Sequence, residues 1–341
     1  MTVRVGVVGR GFMGSMHLNA YAKLPGVEVA AVCDKRKAVL TPNARTTGNL
    51  ALGTRAPDLS RTQWYTQLDR MLAETDLDVV DITLPTHLHA DAALEAFKAG
   101  KHVICEKPLA RNSRDAERIV SAAEKAGRRL FVGHCIRYWP AYAKARDMIR
   151  SGKYRKVLSA RFVRLSPALV RSSDNWMMDH ERSGDAALDV HIHDSDFVLY
   201  TFGAPEAVVS HGTGFGLSKE RLDHIMTVYE YPDGKLVTAE GSWIYAQGFN
   251  FQMQFSVALE KATLECGPDL RLKLHSPSGK SSTVRLPTQD GYTLELRDFL
   301  SCIRKGKPCE VVTPESALQT IKLVEAEIKS ALTGRRVAVK L

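Results

Sequence analysis

The segment from Asp189 to His193 brings together side chains that can exchange protons. On a helix, Asp189 and His193 are four residues apart and share a face. A carboxylate one turn before a histidine can orient the imidazole and raise its basicity, which suits an acid/base pair. A salt bridge on a helix surface would have the same spacing. The segment therefore predicts either a catalytic pair or a surface ion pair.

His191 and His193 have a spacing that could also bind a metal ion. On a strand the two imidazoles could share one ion, with Asp189 as a third ligand. On a helix, side chains two residues apart point about 200° away from each other and cannot. The apolar positions of the segment recur with a helical period, at Leu188, Ile192, Leu199 and Phe202. The pattern favours a helix, and we expect no metal.

Lys107 is the second candidate for chemistry. It stands between Glu106 and Pro108, directly after a short apolar run that is typical of a buried parallel strand. A loop lysine is usually a solvated charge, but ligands collect outside the carboxyl ends of such strands. Pro108 restricts Lys107 to extended geometry and could allow a cis peptide bond, which would direct the side chain. We therefore expect Lys107 to face a ligand.

A phosphate-binding turn is indicated at residues 9–14, which read G-R-G-F-M-G after the β-branched run of residues 3–8. Gly9 can make the tight turn, Gly11 lets a pyrophosphate approach the backbone, and Gly14 lets the following helix pack against the strand. That helix would offer free N–H groups to an anion. A second strand ends at Asp34, 20 residues after Gly14, where an acidic residue binds the adenosine ribose of a dinucleotide.

The cofactor is predicted to be NAD. Arg36 could reach the 2′-phosphate of NADP, but Asp34 would repel that phosphate. NADP stays the alternative. The predicted cofactor contacts are Gly9, Gly11, Phe12, Met13, Gly14, Asp34, Lys35, Arg36, Thr83, Leu84, Pro85, His87, His89, Glu106 and Lys107.

Alternating strands and helices surround these residues up to about residue 135. This alternation predicts a doubly wound parallel α/β sheet, a Rossmann domain, over residues 1–135. From residue 157 onward, β-rich runs separated by turns predict an α+β domain with a largely antiparallel, open sheet over residues 136–341. We expect the last helix to be able to pack back on the first domain. Arg137 follows a strand end and could bind substrate or form a salt bridge, and Trp176 could line the substrate pocket or pack on the sheet.

Composition narrows the class of protein. The 341 residues are 44% hydrophobic with a net charge of +9, but the basic residues are scattered, which argues against nucleic acid. We find no apolar run of about 18 residues for a membrane span. The chain enters a strand at once, so we expect no secretory peptide. Six cysteines without a C-x-x-C pair predict free thiols in the cytoplasm.

With these pieces in place, the chain resembles the glucose–fructose oxidoreductase / inositol dehydrogenase / rhizopine catabolism family of NAD(P)-dependent oxidoreductases. The resemblance covers essentially the whole chain. It rests on the glycine turn at 9–14, Asp34, T-L-P-T-H-L-H at 83–89, E-K-P at 106–108, D-V-H-I-H-D at 189–194 and the late stretch E-L-R-D-F-L-S-C-I-R-K-G-K-P. At two places the chain differs from many members: it has His191 between the aspartate and the histidine, and His134 to Arg137 where an asparagine region is common.

The resemblance implies an oxidoreductase that interconverts a secondary alcohol and a ketone on a sugar or cyclitol. Lys107 would bind the reacting hydroxyl and the nicotinamide ribose, His193 would be the general base, and Asp189 would bind substrate and assist. The implied substrate contacts are Lys107, Arg137, Trp176, Asp189 and His193. Members commonly form homodimers or homotetramers through one face of the C-terminal sheet.

Two other functions share much of this pattern. Some relatives cleave glycosides by oxidising the sugar transiently on a retained NAD, with no net redox change. A non-catalytic sensor that binds NAD(P)H would keep the cofactor site but would not depend on His193. The presence of Lys107, Asp189 and His193 together argues against the sensor, and the glycoside-cleaving enzyme stays the alternative.

Overall fold

The computed structural model describes residues 2–41, 58–167, 172–215 and 221–341. The sequence of residues 41–60, which is polar and rich in Gly, Pro, Asn and Thr, predicts a loosely structured insertion or a weak helix, and most of this stretch lies outside the described ranges. The chain divides into two compact units. The first consists of Met1–Cys135, Arg171–Trp176 and Asp290–Leu318, and the second of Ile136–Val170, Met177–Gln289 and Gln319–Leu341. Segments 171–176 and 290–318 thus belong to the first unit, whereas the sequence placed both in the second domain.

The first unit contains, among the described residues, a six-stranded parallel sheet. Its strands are β1 (Val3–Val8), β2 (Val27–Cys33), β3 (Gln63–Tyr65), β4 (Val79–Ile82), β5 (His102–Glu106) and β6 (Leu130–Gly133). They lie in the order β3-β2-β1-β4-β5-β6. This is the order of the dinucleotide-binding fold, with its switch point between β1 and β4. The predicted Rossmann sheet is confirmed.

The second unit is built on a nine-stranded sheet, again among the described residues. Its strands are β7 (Val157–Pro167), β8 (Ala207–Thr213), β9 (His224–Glu230), β10 (Leu236–Tyr245), β11 (Gln252–Leu259), β12 (Ala262–Cys266), β13 (Leu272–His275), β14 (Ser281–Thr283) and β15 (Val337–Ala338). Their order is β14-β13-β12-β11-β7-β10-β9-β8-β15. Neighbours are antiparallel except β7 and β10, which are parallel. The predicted α+β domain is confirmed as a mixed, mainly antiparallel sheet.

The helices follow the sequence prediction closely. They are α1 (Phe12–Tyr21), α2 (Leu68–Glu74), α3 (His89–Lys98), α4 (Ser113–Lys125), α5 (Pro140–Arg150), α6 (His180–Ser183), α7 (Ile192–Phe202), α8 (Gly291–Lys305) and α9 (Pro314–Thr333). Asn112 caps α4 by accepting a hydrogen bond from the backbone N–H of Asp115 at 2.8 Å. None of the helices in the described part of the chain combines the length and apolar character that a membrane span requires.

One helix differs from its prediction. The helical period of the apolar positions from Leu188 to Phe202 predicts one regular helix, but the segment begins as a π-helical turn, Ala187–His191, and becomes α-helical only at Ile192. The backbone at His191 approaches β10 so closely that a Cβ on Gly241 would stand 2.6 Å from the Cα of His191. Glycine is the residue that permits such an approach. A π turn inside a helix is frequently found at functional sites.

Candidate active site

The glycine turn has the geometry of a phosphate cradle. Gly9 has a positive φ of 100°, and a Cβ there would stand 2.7 Å from the carbonyl oxygen of Thr83. A Cβ on Gly14 would overlap the carbonyl oxygen of Gly9. Gly11 differs, because no described atom lies within 4 Å of where its Cβ would stand. Gly9 and Gly14 are thus required by packing, and Gly11 leaves space before α1 that suits the pyrophosphate of a dinucleotide.

Asp34 ends β2 beside this turn and is held by two donors. It accepts the backbone N–H of Arg10 at 2.8 Å and a bidentate contact from the Arg36 guanidinium. Burial raises the pKa of Asp34, but the hydrogen bonds from Arg36 and Arg10 outweigh burial and lower it. Asp34 is therefore a carboxylate. Lys35 is exposed and lies 3.1 Å from Asp174 in an exposed ion pair.

The turn after β4 contains the predicted residues 83–89. The Thr83 hydroxyl donates to the carbonyl of Gly9 at 2.8 Å, which joins this turn to the glycine turn. The two ring nitrogens of His89 lie 2.8 and 2.9 Å from the carbonyl oxygens of Leu84 and Pro108. Burial is the main cause that lowers the pKa of His89, and the hydrogen bonds to the carbonyl groups of Leu84 and Pro108 oppose it. His89 therefore connects the turn after β4 to the turn after β5. These contacts give no support to the predicted contact of His89 with the cofactor.

Lys107 is placed by the end of β5. From Val103 to Ala110 it is the one residue that is not buried. The carboxylate of Glu106 accepts its backbone N–H at 3.0 Å, and the Lys107–Pro108 peptide bond is cis. Glu106 itself is buried and its other oxygen lies 3.0 Å from Nε2 of His17. Glu106 thus serves the backbone around Lys107, and nothing in its position supports the predicted cofactor contact.

Trp176 belongs to the first unit. Its ring centroid lies 6.4 Å from that of His87, which follows β4. The alternative that Trp176 packs on the sheet stays open. Its predicted contact with substrate stays a prediction, as does the cofactor contact of His87.

Asp189 and His193 stand out in the second unit by their exposure. Every residue from Ser183 to Leu199 is buried except these two, and both are half-buried. The opposite side of the helix packs in a cluster of Leu188, Ile192 and Val324. The spacing therefore leaves one acid and one imidazole accessible within the otherwise buried segment Ser183–Leu199.

His191 and Arg137 have structural surroundings. Nε2 of His191, a fully buried residue, lies 3.2 Å from the carboxylate of Glu327, so His191 and His193 do not share a position suited to one ion. The Arg137 guanidinium makes a buried bidentate contact with Asp196 at 2.9 and 2.6 Å. Of the two interpretations of Arg137, the salt bridge is the one that the structure contains, and the predicted substrate contact finds no support in its position.

The described residues contain one further group with metal-ligand chemistry, formed by Asp298, Cys302 and Cys309. The thiol of Cys309 lies 3.5 Å from Asp298, and that of Cys302 lies 3.5 Å from the carbonyl oxygen of Pro308. Burial raises the pKa of Cys302 to about 12, so the thiol keeps its proton. Ordinary S–H hydrogen bonds account for this group.

Sequence reasoning missed His17 and Asp81. Nδ1 of His17 lies 2.8 Å from Asp81 and Nε2 lies 3.0 Å from Glu106, and all three residues are buried. The sequence feature that could have identified them is a polar residue at a core position. Asp81 lies inside an apolar strand, and His17 lies in the first turns of an apolar helix.

Comparison with known proteins agrees with both units. The sequence model described as "Oxidoreductase family, NAD-binding Rossmann fold" matches residues 3–134, and that of the GFO/IDH/MocA C-terminal domain matches residues 142–265. Together they span most of the chain. The chain is 29% identical over 287 residues to 1,5-anhydro-D-fructose reductase of Ensifer adhaerens, covering 81% of this chain and 84% of that protein.

Two longer matches extend over the whole chain. Inositol 2-dehydrogenase of Salmonella typhimurium is 26% identical over 349 residues, covering 100% of this chain and 98% of that protein. The structure of levoglucosan dehydrogenase in complex with NADH and levoglucosan superposes with a TM-score of 0.86 at 23% identity, covering 100% of both chains. The last match shows a common fold. The chain belongs to the GFO/IDH/MocA family of NAD-binding oxidoreductases.

Proposed function

We propose that this oxidoreductase uses NAD to interconvert a secondary alcohol and a ketone on a sugar or cyclitol, with Lys107, Asp189 and His193 as its catalytic residues. The observation that carries the proposal is the partial exposure of Asp189 and His193 in the segment Ser183–Leu199, in which every other residue is buried. An acid and an imidazole at the accessible positions of a buried segment have the residue types and the access to solvent that proton transfer requires.

Each residue has a chemical task in this proposal. During oxidation the His193 imidazole accepts the proton of the substrate hydroxyl, and Asp189, one turn earlier, orients the ring and stabilises its positive charge. The Lys107 ammonium donates a hydrogen bond to the same hydroxyl oxygen and stabilises the negative charge that develops there. Bound NAD supplies the hydride acceptor. In the reverse direction His193 returns the proton to the oxygen.

The substrate class is inferred from the relatives. The proteins that match this chain include an anhydro-sugar reductase and an inositol dehydrogenase, and both names refer to a polyhydroxylated ring compound. Neutral polyols of this kind need hydrogen-bonding groups rather than a dense charge. One lysine, one carboxylate and one imidazole form such a set.

The test is a spectrophotometric screen of the purified protein. Inositols, hexoses, anhydro-sugars, sugar phosphates and glycosides are offered with NAD and with NADP while absorbance of the reduced nicotinamide is followed. We expect reduction with at least one cyclitol or sugar, and faster reduction with NAD. Cleavage of a glycoside without net absorbance change would replace the proposal with the transient-oxidation reaction. Silence in both assays, with NAD bound tightly, would favour the sensor.

We also propose that a second copy of the chain covers the outer face of the C-terminal sheet, in a homodimer or homotetramer. On this face lie Leu236, Met226 and Ile244, which are 57%, 45% and 37% exposed. Met226 is opposite Glu240 in the β9–β10 register, on the same face as Leu236. Apolar side chains grouped on one exposed sheet face are typical of subunit contacts.

A cytoplasmic location is proposed on the cysteines. All six are buried and free. The sulfur atoms of Cys302 and Cys309 lie within 4.8 Å of each other without a bond. A pair of neighbouring thiols that stays reduced suits a reducing compartment. Six thiols should react with a thiol reagent in freshly prepared, unfolded protein; a smaller number would argue against this location.

A further inference from the structure

A fully buried histidine lies beneath Lys107 in the first unit. His17 is on α1, the helix that starts at the glycine turn, and its two ring nitrogens meet carboxylates from two different strands. Asp81 comes from β4 and Glu106 from the end of β5. The ring is enclosed on both polar edges, and its side chain has no exposed surface. One residue thus connects the helix of the cofactor turn to two strands of the sheet.

The hydrogen-bonding partners require His17 to carry both protons. Nε2 faces Glu106, whose pKa is raised by burial but lowered further by the hydrogen bond and charge of His17, so Glu106 is ionised and accepts. Nδ1 faces an Asp81 oxygen that already accepts the Tyr21 hydroxyl at 2.7 Å. A carboxylate oxygen that accepts from both sides leaves Nδ1 as a donor. Two donating nitrogens are the imidazolium form.

The pKa of His17 agrees with this geometry. Burial alone would lower it, but the charges and hydrogen bonds of Asp81 and Glu106 raise it well above its ordinary value. A cation between two carboxylates compensates their charge, whereas a neutral ring would leave carboxylate charge uncompensated. The other oxygen of Asp81, Oδ1, is buried and has no hydrogen-bond partner among the described residues.

Glu106 connects His17 to the backbone of Lys107. One oxygen of its carboxylate is held by His17 and the other accepts the backbone N–H of Lys107 at 3.0 Å. The carboxylate of Glu106 also lies against Gly133 of β6, since a Cβ on Gly133 would stand 3.2 Å from this carboxylate. The carboxylate therefore has little room to change its position while His17 is present. Without His17 it loses the partner that determines its orientation.

We propose that His17 is a positioning residue for Lys107: its imidazolium orients Glu106, and Glu106 sets the backbone from which the lysine side chain leaves. The proposal rests on the proposed function of Lys107. Because His17 is on α1, it also determines the position of Lys107 relative to this helix, which begins at the glycine turn. In this proposal the charge of His17 contributes to the geometry of the reaction as well as to the stability of the fold.

The test compares His17→Gln with Tyr21→Phe. Glutamine keeps a polar side chain but removes the positive charge that orients Glu106. Tyr21→Phe is the matched control, because it removes a hydrogen bond to Asp81 on the same helix and leaves the contact between His17 and Glu106 in place. For each variant, kcat, KM for the substrate, Kd for NAD and the midpoint of thermal unfolding are measured.

We expect His17→Gln to lower kcat by about tenfold to a hundredfold, the cost of a misplaced catalytic group, while Kd for NAD stays within about twofold of the wild type. Tyr21→Phe should keep kcat. If both variants lose the same thermal stability and the same kcat, or if neither loses kcat, His17 is a structural residue only and the proposal is overturned. The variant Lys107→Met distinguishes the two proposals. Turnover by Lys107→Met would contradict the proposed catalytic function of Lys107. An inactive Lys107→Met together with a fully active His17→Gln would contradict only the positioning role of His17.

A measurement on the wild-type protein keeps the test independent of variant folding. Nitrogen-15 NMR distinguishes an imidazolium from either neutral tautomer. We expect the two nitrogens of His17 to give the signals of a doubly protonated ring at pH 8. A neutral ring at that pH would overturn the proposal.

Discussion

The Arg36 guanidinium contacts both carboxylate oxygens of Asp34, with Nε 2.9 Å from Oδ1 and Nη2 2.8 Å from Oδ2. The residue that could bind the 2′-phosphate of NADP is therefore paired with the residue that repels it. Planar bidentate pairs of this kind are among the stronger ion pairs. Cofactor preference at this site depends on the pair rather than on either side chain alone.

Replacing Asp34 by Ser should shift the enzyme toward NADP. The change removes the repelling carboxylate and releases Arg36, so the ratio of kcat/KM for NADP to that for NAD should rise about tenfold to a hundredfold. Initial rates with each cofactor measure it. The exposed neighbour Lys37 offers a control, since Lys37→Ala should leave the ratio unchanged. An unchanged ratio in Asp34→Ser would contradict the assignment of this pair.

The glycine turn makes a prediction that separates packing from binding. Gly14→Ala places a methyl group against the carbonyl oxygen of Gly9 and should lower the free energy of unfolding by about 1–3 kcal/mol, the usual cost of overpacking. Gly11 has a φ of −85°, and its Cβ would meet open space. Gly11→Ala should therefore keep the stability but weaken NAD binding at least tenfold. Thermal unfolding and NAD titration measure the two effects. Unimpaired NAD binding by Gly11→Ala would show that this space is not the pyrophosphate site.

His193→Asn should lower kcat for oxidation by about a hundredfold to ten-thousandfold, the usual contribution of a general base. His211, an exposed histidine on β8, provides the control, and His211→Asn should keep the rate. Initial rates of NAD reduction measure both variants. A His193→Asn variant with the wild-type kcat would contradict the assignment of the general base.

Because the pKa of His17 is raised in the folded protein, the contribution of His17 to the free energy of unfolding should decrease at alkaline pH. A group whose pKa is higher in the folded state contributes fully below its ordinary value of 6.5, and the contribution is lost as the pH rises through the folded value. The stability advantage of the wild type over His17→Gln should therefore shrink as the pH is raised. The titratable groups around His17 and its partners are Asp81, Glu106, Tyr21, Cys105, Tyr292, His89, Glu295 and Lys107. Denaturant unfolding at several pH values measures this, and an advantage that is constant or grows with pH would argue against a charged His17.

Met226→Glu should dissociate the proposed assembly. The change puts a charge on the outer face of the C-terminal sheet, and burial of an unpaired charge at a subunit contact is strongly unfavourable. Light scattering after size-exclusion chromatography should show a smaller mass. Leu332 is similarly exposed, at 51%, but lies on α9, so Leu332→Glu serves as the control and should keep the wild-type mass. An unchanged mass for Met226→Glu would place the contact elsewhere.

Local sequence was sufficient for much of the first unit. The β-branched run at Val3–Val8, the glycines after it and the asparagine cap at Asn112 act within a few residues, where steric limits and backbone hydrogen bonding decide the structure. The same holds for α9, whose bounds agree with the helical period of its sequence. Asp189 and His193 were found in the same way, because their spacing on a helix is a local property.

Contacts between distant residues were decided by the tertiary structure. His17 lies 64 residues from Asp81 and 89 from Glu106 in the chain, so no local pattern indicates that these three side chains meet. The π turn before α7 depends on Gly241, a residue of β10 that leaves room for the helix backbone. The short segment that ends at Trp176 joins the first unit, although the stretches on either side of it belong to the second. The type and spacing of residues determined which groups could react, and packing between remote elements decided which of them are buried in ion pairs and which remain accessible.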